Sequence, residues 1–443
     1  MEILSAPGQA WRQSYLPFVV LVLVLNLVSA VLFFALVQHP VYDDVYNIYD
    51  VHNYATRGFS QATLSAQRNA PGPTSFVWMG LAVRLLGGNE LRAARLGALA
   101  SWALLGLGVL LGAHTGGDPR PWYASLLTLL VFPHAVTATA TILTEGPALL
   151  FAVMGALVWT VSVSTQGEGK SVLELLGALS LGLAVTCRQY NLALFIAAIG
   201  LVLYLHLGQK RELGLPWMIH RFMLLACGAV PVLLLILAWR GVSSPGIASG
   251  TSYNMAYRAG AGLNLTRPII AALDVAIYLV PLTFPLMLRL KSGQRWWALL
   301  AAVLSGMACG YSVDSLLQPG PVHSAVLAMS KAHRVDEVLF GLLVAVSIYN
   351  AVALCLKLWE QRGLVTSLPV LAFALLIVLF FIGEQFGVGG NIPFYDRYVL
   401  QVAPFLGIIA FAMLPVLSNM RLLALAAMSV VSHVMVWRFL FNC

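Results

Sequence analysis

The chain has 443 residues, 60% of them hydrophobic and only 9% charged, and 25 Lys and Arg against 17 Asp and Glu give it a formal net charge of +8. A soluble domain carries about 25% charged residues and must cover its surface with polar groups, so a mean hydropathy of +0.86 excludes a soluble enzyme, a nucleic-acid-binding protein and a disordered chain. The surplus of bases reads instead as Lys and Arg held at the cytoplasmic ends of membrane helices.

A bilayer core of roughly 30 Å requires about 20 apolar residues per helix. Apolar runs predict spans at 16–38, 94–113, 121–140, 146–164, 172–187, 190–208, 222–239, 268–288, 296–313, 336–357, 366–383, 398–416 and 422–440. The first run is too long for a signal-peptide core and has no small-residue cleavage site after it, so it reads as a retained anchor. Segment 72–88 is short, begins between Pro71 and Pro73 and contains Arg84, and reads as an amphipathic helix in the interface. With the N-terminus inside, nearly every short cytoplasmic loop carries a base, among them Arg120, Lys170, Arg221, Arg289, Lys291, Arg295, Lys357 and Arg362. The expected fold class is an all-α polytopic membrane protein of about 11–13 transmembrane helices, one domain over 1–443, with interfacial helices in a first outer loop at 39–93 and no separate soluble domain. The five cysteines lack CxxC or Cys/His spacing, which argues against a zinc cluster or disulfide framework.

This topology collects the polar residues on the outer face. Asp43 and Asp44 follow the first span, interleaved with Tyr42, Tyr46, Tyr49 and Tyr54, and a helix here would place 43, 46, 47, 50 and 54 on one face. Such a stretch is either an interfacial helix with an aromatic belt or a carboxylate pair placed for proton abstraction or metal binding. Glu145 opens a span, as a dipole-complementing residue or as a ligand. Arg188 and Gln189 stand between two close spans, where an arginine needs either an acidic partner or an anionic ligand. Loop 240–267 carries Arg240, Arg258 and Arg267 among glycines and serines, as a ligand cover or a plain connection. Tyr395, Asp396, Arg397 and Tyr398 open a late span, as a capped start with an internal ion pair or as a basic ligand site. No mid-membrane proton relay of acids and no matched pair of broken helices is evident, which weakens a transporter reading. No P-loop, GxSxG, HExxH or Rossmann fingerprint is present in a credible context.

The pattern resembles the integral-membrane glycosyltransferases of the C-type fold, in the branch that groups aminoarabinose transferase-like, protein-mannosyltransferase-like and lipopolysaccharide-core galacturonosyltransferase-like proteins. The resemblance is carried by Tyr42-Asp43-Asp44 with Tyr54-Ala55 and Arg57-Gly58, by Asn69-Ala70-Pro71-Gly72-Pro73 followed by Arg92 and Arg95-Leu96, by Thr144-Glu145-Gly146-Pro147, by Arg188-Gln189-Tyr190-Asn191, and by Tyr395-Asp396-Arg397-Tyr398 before Pro404-Phe405-Leu406. It implies transfer of a hexosyl or pentosyl group from a polyprenyl-phosphate-sugar donor to a glycan, lipid or protein acceptor, with inversion, on the periplasmic face of a bacterial inner membrane, or on the lumenal face of the endoplasmic reticulum in a eukaryote. It implies a first-loop general base at Asp43 or Asp44, with Asp44 preferred, and a divalent ion, if any, at the same two acids. Donor phosphate would be held by Arg188, Arg397 and Arg258, and substrate oriented by Tyr46, Asn47, His52, Glu145, Gln189 and Tyr395. The competing readings are a polytopic transporter or flippase of lipid-linked glycans, a non-catalytic scaffold, and a ligase or polymerase of lipid-linked glycans.

Overall fold

A computed structural model describes residues 8–115, 118–164, 170–208, 214–241, 243–246, 266–310, 335–387, 396–414 and 419–441, and among these there is no strand. The helices are α1 (Gly8–Leu36), α2 (Asp44–Arg57), α3 (Gln61–Ala66), α4 (Pro73–Leu86), α5 (Glu90–Thr115), α6 (Arg120–Val131), α7 (Pro133–Ala140), α8 (Glu145–Ser164) and α9 (Lys170–Cys187) in the first half. The second half holds α10 (Leu192–Gly208), α11 (Leu215–Trp239), α12 (Thr266–Thr283), α13 (Ser292–Gly310), α14 (Val335–Glu360), α15 (Arg362–Ser367), α16 (Pro369–Glu384), α17 (Ala403–Met413) and α18 (Asn419–Phe441). Short 3-10 turns, Gln189–Asn191, Phe284–Arg289 and Asp396–Gln401, precede α10, follow α12 and precede α17.

The surface is built for lipid. Along α1, Leu21, Val24, Leu25, Val28 and Leu32 face outward while Asn26, Ser29 and Phe33 are buried. This inverts a soluble helix, because hydrocarbon rewards apolar exposure and forces polar groups to find partners inside the bundle. Ser29 has such a partner, accepting a 2.8 Å hydrogen bond from Trp437 Nε1 on α18. Among the described residues eight helices are long and apolar enough to cross a membrane, or nine with α6 and α7 taken as one bent span. Several other expected spans form shorter apolar helices, including α9, α16 and α17. The protein is an all-α polytopic membrane protein.

Close crossings use small residues. A Cβ at Gly182 on α9 would collide with the Gly228 carbonyl oxygen on α11, and one at Gly228 with the Ala178 backbone, so these two helices meet backbone to backbone.

One expectation needs correction. The run 121–140 is not one continuous span: it bends by 78° between α6 and α7, because Pro133 has no N–H to donate and its ring would clash with the preceding turn. The bundle also holds buried acids. Asp274 is buried in α12, and Glu174 on α9 is fully buried against Arg221, 2.8 Å away on α11.

The first outer loop is an ordered cap. The buried face of α2 carries Asp44, Asn47, Asp50, Val51 and Tyr54, so its phase is centred on Asp44, and Tyr46, expected on that face, is 67% exposed. Asp50 accepts from the Arg68 and Asn69 backbone N–H groups at 3.1 and 3.0 Å and from Asn69 Nδ2 at 2.7 Å, tying α2 to the strand-like approach into α4. Burial pushes this carboxyl above the usual carboxylate range against those donors. Gly72 lies where an added Cβ would strike the Thr186 carbonyl, and its N–H donates to Cys187 O at 3.0 Å, pinning the loop to the end of α9. At 14 residues, α4 is too short to span unaided; it buries Phe76, Met79 and Val83 against α2 and α5 and exposes Leu81, Leu85 and Leu86.

Candidate functional site

The site is built where α2, the α7–α8 turn, the α9–α10 corner and the 3-10 turn before α17 converge. Tyr42 has φ of 54°, a left-handed conformation unusual for a residue with a side chain. The chain reverses there, and the two acids that follow point to different partners. Asp43 occupies the N-cap position of α2 but makes no side-chain capping bond. Its carboxylate accepts instead from Arg397 Nη1 at 2.6 Å, with the Asp43 side chain 23% and the Arg397 side chain 11% exposed.

Arg397 leads inward to a second acid. Its Nε lies 3.9 Å from Glu145 Oε1, and the same Glu145 oxygen is ion-paired with Arg188 Nη2. Glu145 is fully buried, so its charge is offset by guanidinium groups from two separate parts of the chain. Asp43, Arg397, Glu145 and Arg188 thus form one chain of alternating charge.

Aromatic rings line it. The Arg397 guanidinium lies 5.3 Å from the Tyr42 ring centre and 5.7 Å from that of Tyr398, and Arg188 lies 5.5 Å from Tyr398. Tyr190 and Tyr398 are in ring contact at 4.8 Å. A third arginine, Arg267 at the start of α12, is 99% buried, donates to Tyr190 Oη at 3.0 Å and to Gln385 Oε1 at 2.8 Å, and lies 5.9 Å from the Tyr398 ring. Three guanidinium groups therefore surround one pair of tyrosines. The sequence placed Arg267 in a loop that is either a ligand cover or a plain connection, and Tyr190 and Tyr398 beside candidate residues, but singled out none of them, nor Gln385, as a site residue. The available signal was an arginine directly before an apolar span, since a buried cation there needs either an acid or an anion.

Asp44, the residue preferred as base, is arranged differently. It is fully buried, and Arg95 reaches one carboxylate oxygen through Nη2 at 2.6 Å and Nε at 3.2 Å. The Ile142 N–H donates to the other oxygen at 2.5 Å and the Val41 N–H to the first at 3.2 Å. Arg95 also donates to the Val37 and His39 carbonyls. With both oxygens engaged and no exposure, Asp44 joins α1, α2, α5 and the α7–α8 turn.

The other expected substrate residues divide in the same way. Asn47 is buried and donates to Ile142 O at 2.6 Å, a structural tie. His52 is exposed and pairs with Glu90, Nδ1 to Oε1 at 2.8 Å, away from the charge chain. Gln189 donates to Ala70 O at 2.7 Å, joining the α9–α10 corner to the first loop. Tyr46 is exposed one turn from Asp43. Arg258 and Tyr395 lie outside the described residues. The adjacent acids do not fit a shared divalent ion, because each is engaged by a different arginine, and among the described residues no group of three His, Cys, Asp or Glu side chains is placed to hold a metal.

No protein-family model matches the chain, and no curated protein sequence matches it. Among solved structures it is similar to ArnT from Cupriavidus metallidurans bound to undecaprenyl phosphate, at 14% identity over 98% of this chain and 79% of that one, with a TM-score of 0.39. It is similar to the archaeal oligosaccharyltransferase AglB from Archaeoglobus fulgidus in complex with an inhibitory peptide and a dolichol-phosphate, at 11% identity over 86% of this chain and 57% of that one, with a TM-score of 0.34. It is also similar to the arabinosyltransferase EmbB from Mycobacterium smegmatis, at 14% identity over 95% of this chain and 40% of that one, with a TM-score of 0.36.

Proposed function

We propose that the protein is an integral-membrane glycosyltransferase that moves a sugar from a polyprenyl-phosphate donor to an acceptor hydroxyl at the periplasmic face of a bacterial inner membrane. The observation that carries this reading is the Asp43–Arg397–Glu145–Arg188 chain of charge with Arg267 beside it. It combines a partly exposed carboxylate with three arginines at the ends of membrane helices, where a lipid-anchored phosphate would lie.

In this reading the three guanidinium groups bind the donor phosphate, for which their planar forks are suited. Arrival of that phosphodiester anion competes with Asp43 for Arg397 and frees the Asp43 carboxylate. The acceptor oxygen attacks the anomeric carbon, Asp43 takes the hydroxyl proton, and the bond from that carbon to the phosphate oxygen breaks. The electron pair leaves on the phosphate, where the arginines meet the growing negative charge. Glu145 touches no substrate here; it keeps two neighbouring cations compatible in a buried place. The base is thus Asp43 and not Asp44, a change from the sequence-based preference. No step is assigned to a metal.

The test is transfer by the purified protein in lipid, with a panel of radiolabelled polyprenyl-phosphate sugars and mixed acceptors. A general base contributes about 10²–10⁴-fold, so Asp43→Asn should lower turnover by at least about a hundredfold with the melting temperature unchanged. Turnover that survives Asp43→Asn would remove Asp43 as base.

A second reading, passage of lipid-linked glycans across the membrane, draws on the 78° break between α6 and α7 and on buried Asp274, since broken helices and interior acids mark transport paths. It predicts movement of labelled lipid-linked sugar between leaflets of a proteoliposome, lost in Asp274→Asn, with the donor left chemically intact.

A further inference from the structure

A second polar cluster lies at the far end of α12 from Arg267. The span that begins at Thr266 runs 24 residues to Arg289. At about 1.5 Å per residue its ends are roughly 36 Å apart, which places Arg289 on the opposite membrane face from the charge chain. There the 3-10 turn after α12, the start of α13 and the end of α14 border a small notch of about 30 Å³ whose lining includes Arg289, Gln294, Lys357 and Glu360.

The electrostatics of this notch are lopsided. Glu360 is its acid, 3.5 Å from Lys291 and 3.7 Å from Lys357. Arg295 spends its donors on the Leu290 and Leu288 carbonyls at the end of the turn, which satisfies its hydrogen bonds but not its charge. Arg289 is exposed and makes no hydrogen bond or ion pair among the described residues. Arg362 stands two residues beyond Glu360, its guanidinium 5.5 Å from the Trp359 ring centre. Five cations against one acid leave a surplus of four positive charges.

Around them Trp296, Trp297 and Trp359 are 71%, 75% and 71% exposed. Tryptophan favours the headgroup level of a bilayer, where its ring is in lipid and its N–H meets water. The tendency of bases to remain on the cytoplasmic side accounts for positive charge at this end. It does not account for the convergence of three chain segments on one notch, lined by an uncommitted guanidinium and flanked in sequence by exposed indoles. We infer that this notch binds the headgroup of an anionic phospholipid, with the phosphate between Arg289 and Lys357 and the acyl chains along the apolar outer faces of α13 and α14. A lipid is favoured over a free anion because Leu299, Leu300, Val303 and Leu304 continue outward along α13 from the tryptophans and are exposed.

The experiment is native mass spectrometry of the full chain in detergent, titrated with phosphatidylglycerol or with phosphatidylcholine of the same acyl chains. The two single changes Arg289→Gln and Lys357→Gln are combined in one variant, and Arg120→Gln, which removes a base bonded to Asp118 at a different helix start, is the control. Each base near an anionic headgroup strengthens binding about fivefold, so the double variant should retain phosphatidylglycerol about 25-fold more weakly. Arg120→Gln should match the unaltered protein, phosphatidylcholine should bind poorly throughout, and millimolar inorganic phosphate should not displace the lipid. Equal retention of the two lipids, displacement by phosphate, or an equal loss in Arg120→Gln would each overturn the site. If the double variant melts early, the charge-preserving pair Arg289→Lys and Lys357→Arg decides: retained preference for phosphatidylglycerol upholds the site, and its loss overturns it.

Discussion

Asp43 and Asp44 are adjacent, identical in chemistry and each paired with an arginine, yet one ion pair is sealed and the other is open. Asp44 and Arg95 have no exposed side-chain surface, and four N–H donors from three parts of the chain converge on the carboxylate. Asp43 has one guanidinium partner, and that partner, Arg397, is shared with Glu145. The left-handed turn at Tyr42 and the start of α2 produce the difference, since successive residues on a helix point about 100° apart. A fully satisfied ion pair holds structure; a pair with one shared partner can exchange that partner for a ligand.

The largest effect tests the sealed side. Arg95→Ala leaves the Asp44 carboxylate buried without its cation, and breaking a buried pair by removing one partner costs about 3–5 kcal/mol. The expected outcome is a large fall in melting temperature and poor recovery from the membrane, whereas Asp43→Asn melts within about 1 kcal/mol of the unaltered protein. Equal melting of the two variants would erase the distinction between the pairs.

Next is the point where the sealed loop touches the bundle. Gly72→Ala pushes a methyl group into the Thr186 carbonyl, and overpacking of this kind costs about 1–3 kcal/mol. The first loop should loosen before the bundle does. Hydrogen exchange should therefore rise over residues 67–73, and a protease should cut there; protection equal to the parent would mean the contact gives way without cost.

On the open side the expected effect is smaller and kinetic. Arg188→Lys keeps the charge beside Glu145 but loses the planar fork. A tenfold loss in kcat/KM for the donor, about 1.4 kcal/mol, should appear with stability little changed. A variant as active as the parent would assign Arg188 to holding Glu145 alone.

The sequence made part of this legible and hid the rest for definite reasons. Asp43, Glu145, Arg188 and Arg397 each interrupt or border an apolar run, so they stand out as polar groups that need partners, and the structure brings all four into one chain. Arg95 and Arg267 are equally buried, but a base near the start of a span looks like an ordinary helix-end cation until tertiary contacts are known. The resemblance left the base at Asp43 or Asp44 with Asp44 preferred, and adjacent acids are told apart only by the helix phase, which buries Asp44 and leaves Asp43 partly exposed. Asp274 is a single acid within a run whose mean apolarity masks it. Pro133 was visible, but a proline inside an apolar run can kink a helix slightly or break it, and only the surroundings select the 78° bend.

The smallest expected effect concerns His52, which sequence reading placed among the substrate groups. In the structure its side chain is 50% exposed and that of its partner Glu90 41% exposed. A surface pair of this kind contributes about 0–1 kcal/mol, and His52 lies two turns along α2 from Asp43. His52→Ala should leave both melting and donor turnover within about twofold of the parent, since exposed pairs fall near the bottom of that range. Acceptor concentration is the variable that sharpens the comparison: donor kinetics report the charge chain, whereas a polymeric acceptor could extend along the exposed side of α2 past Tyr46 and Tyr49. A rise in acceptor KM of more than about fivefold, roughly 1 kcal/mol, with kcat unchanged would place His52 on the path of the acceptor, and the open region would then extend from Asp43 along the outer face of the first loop.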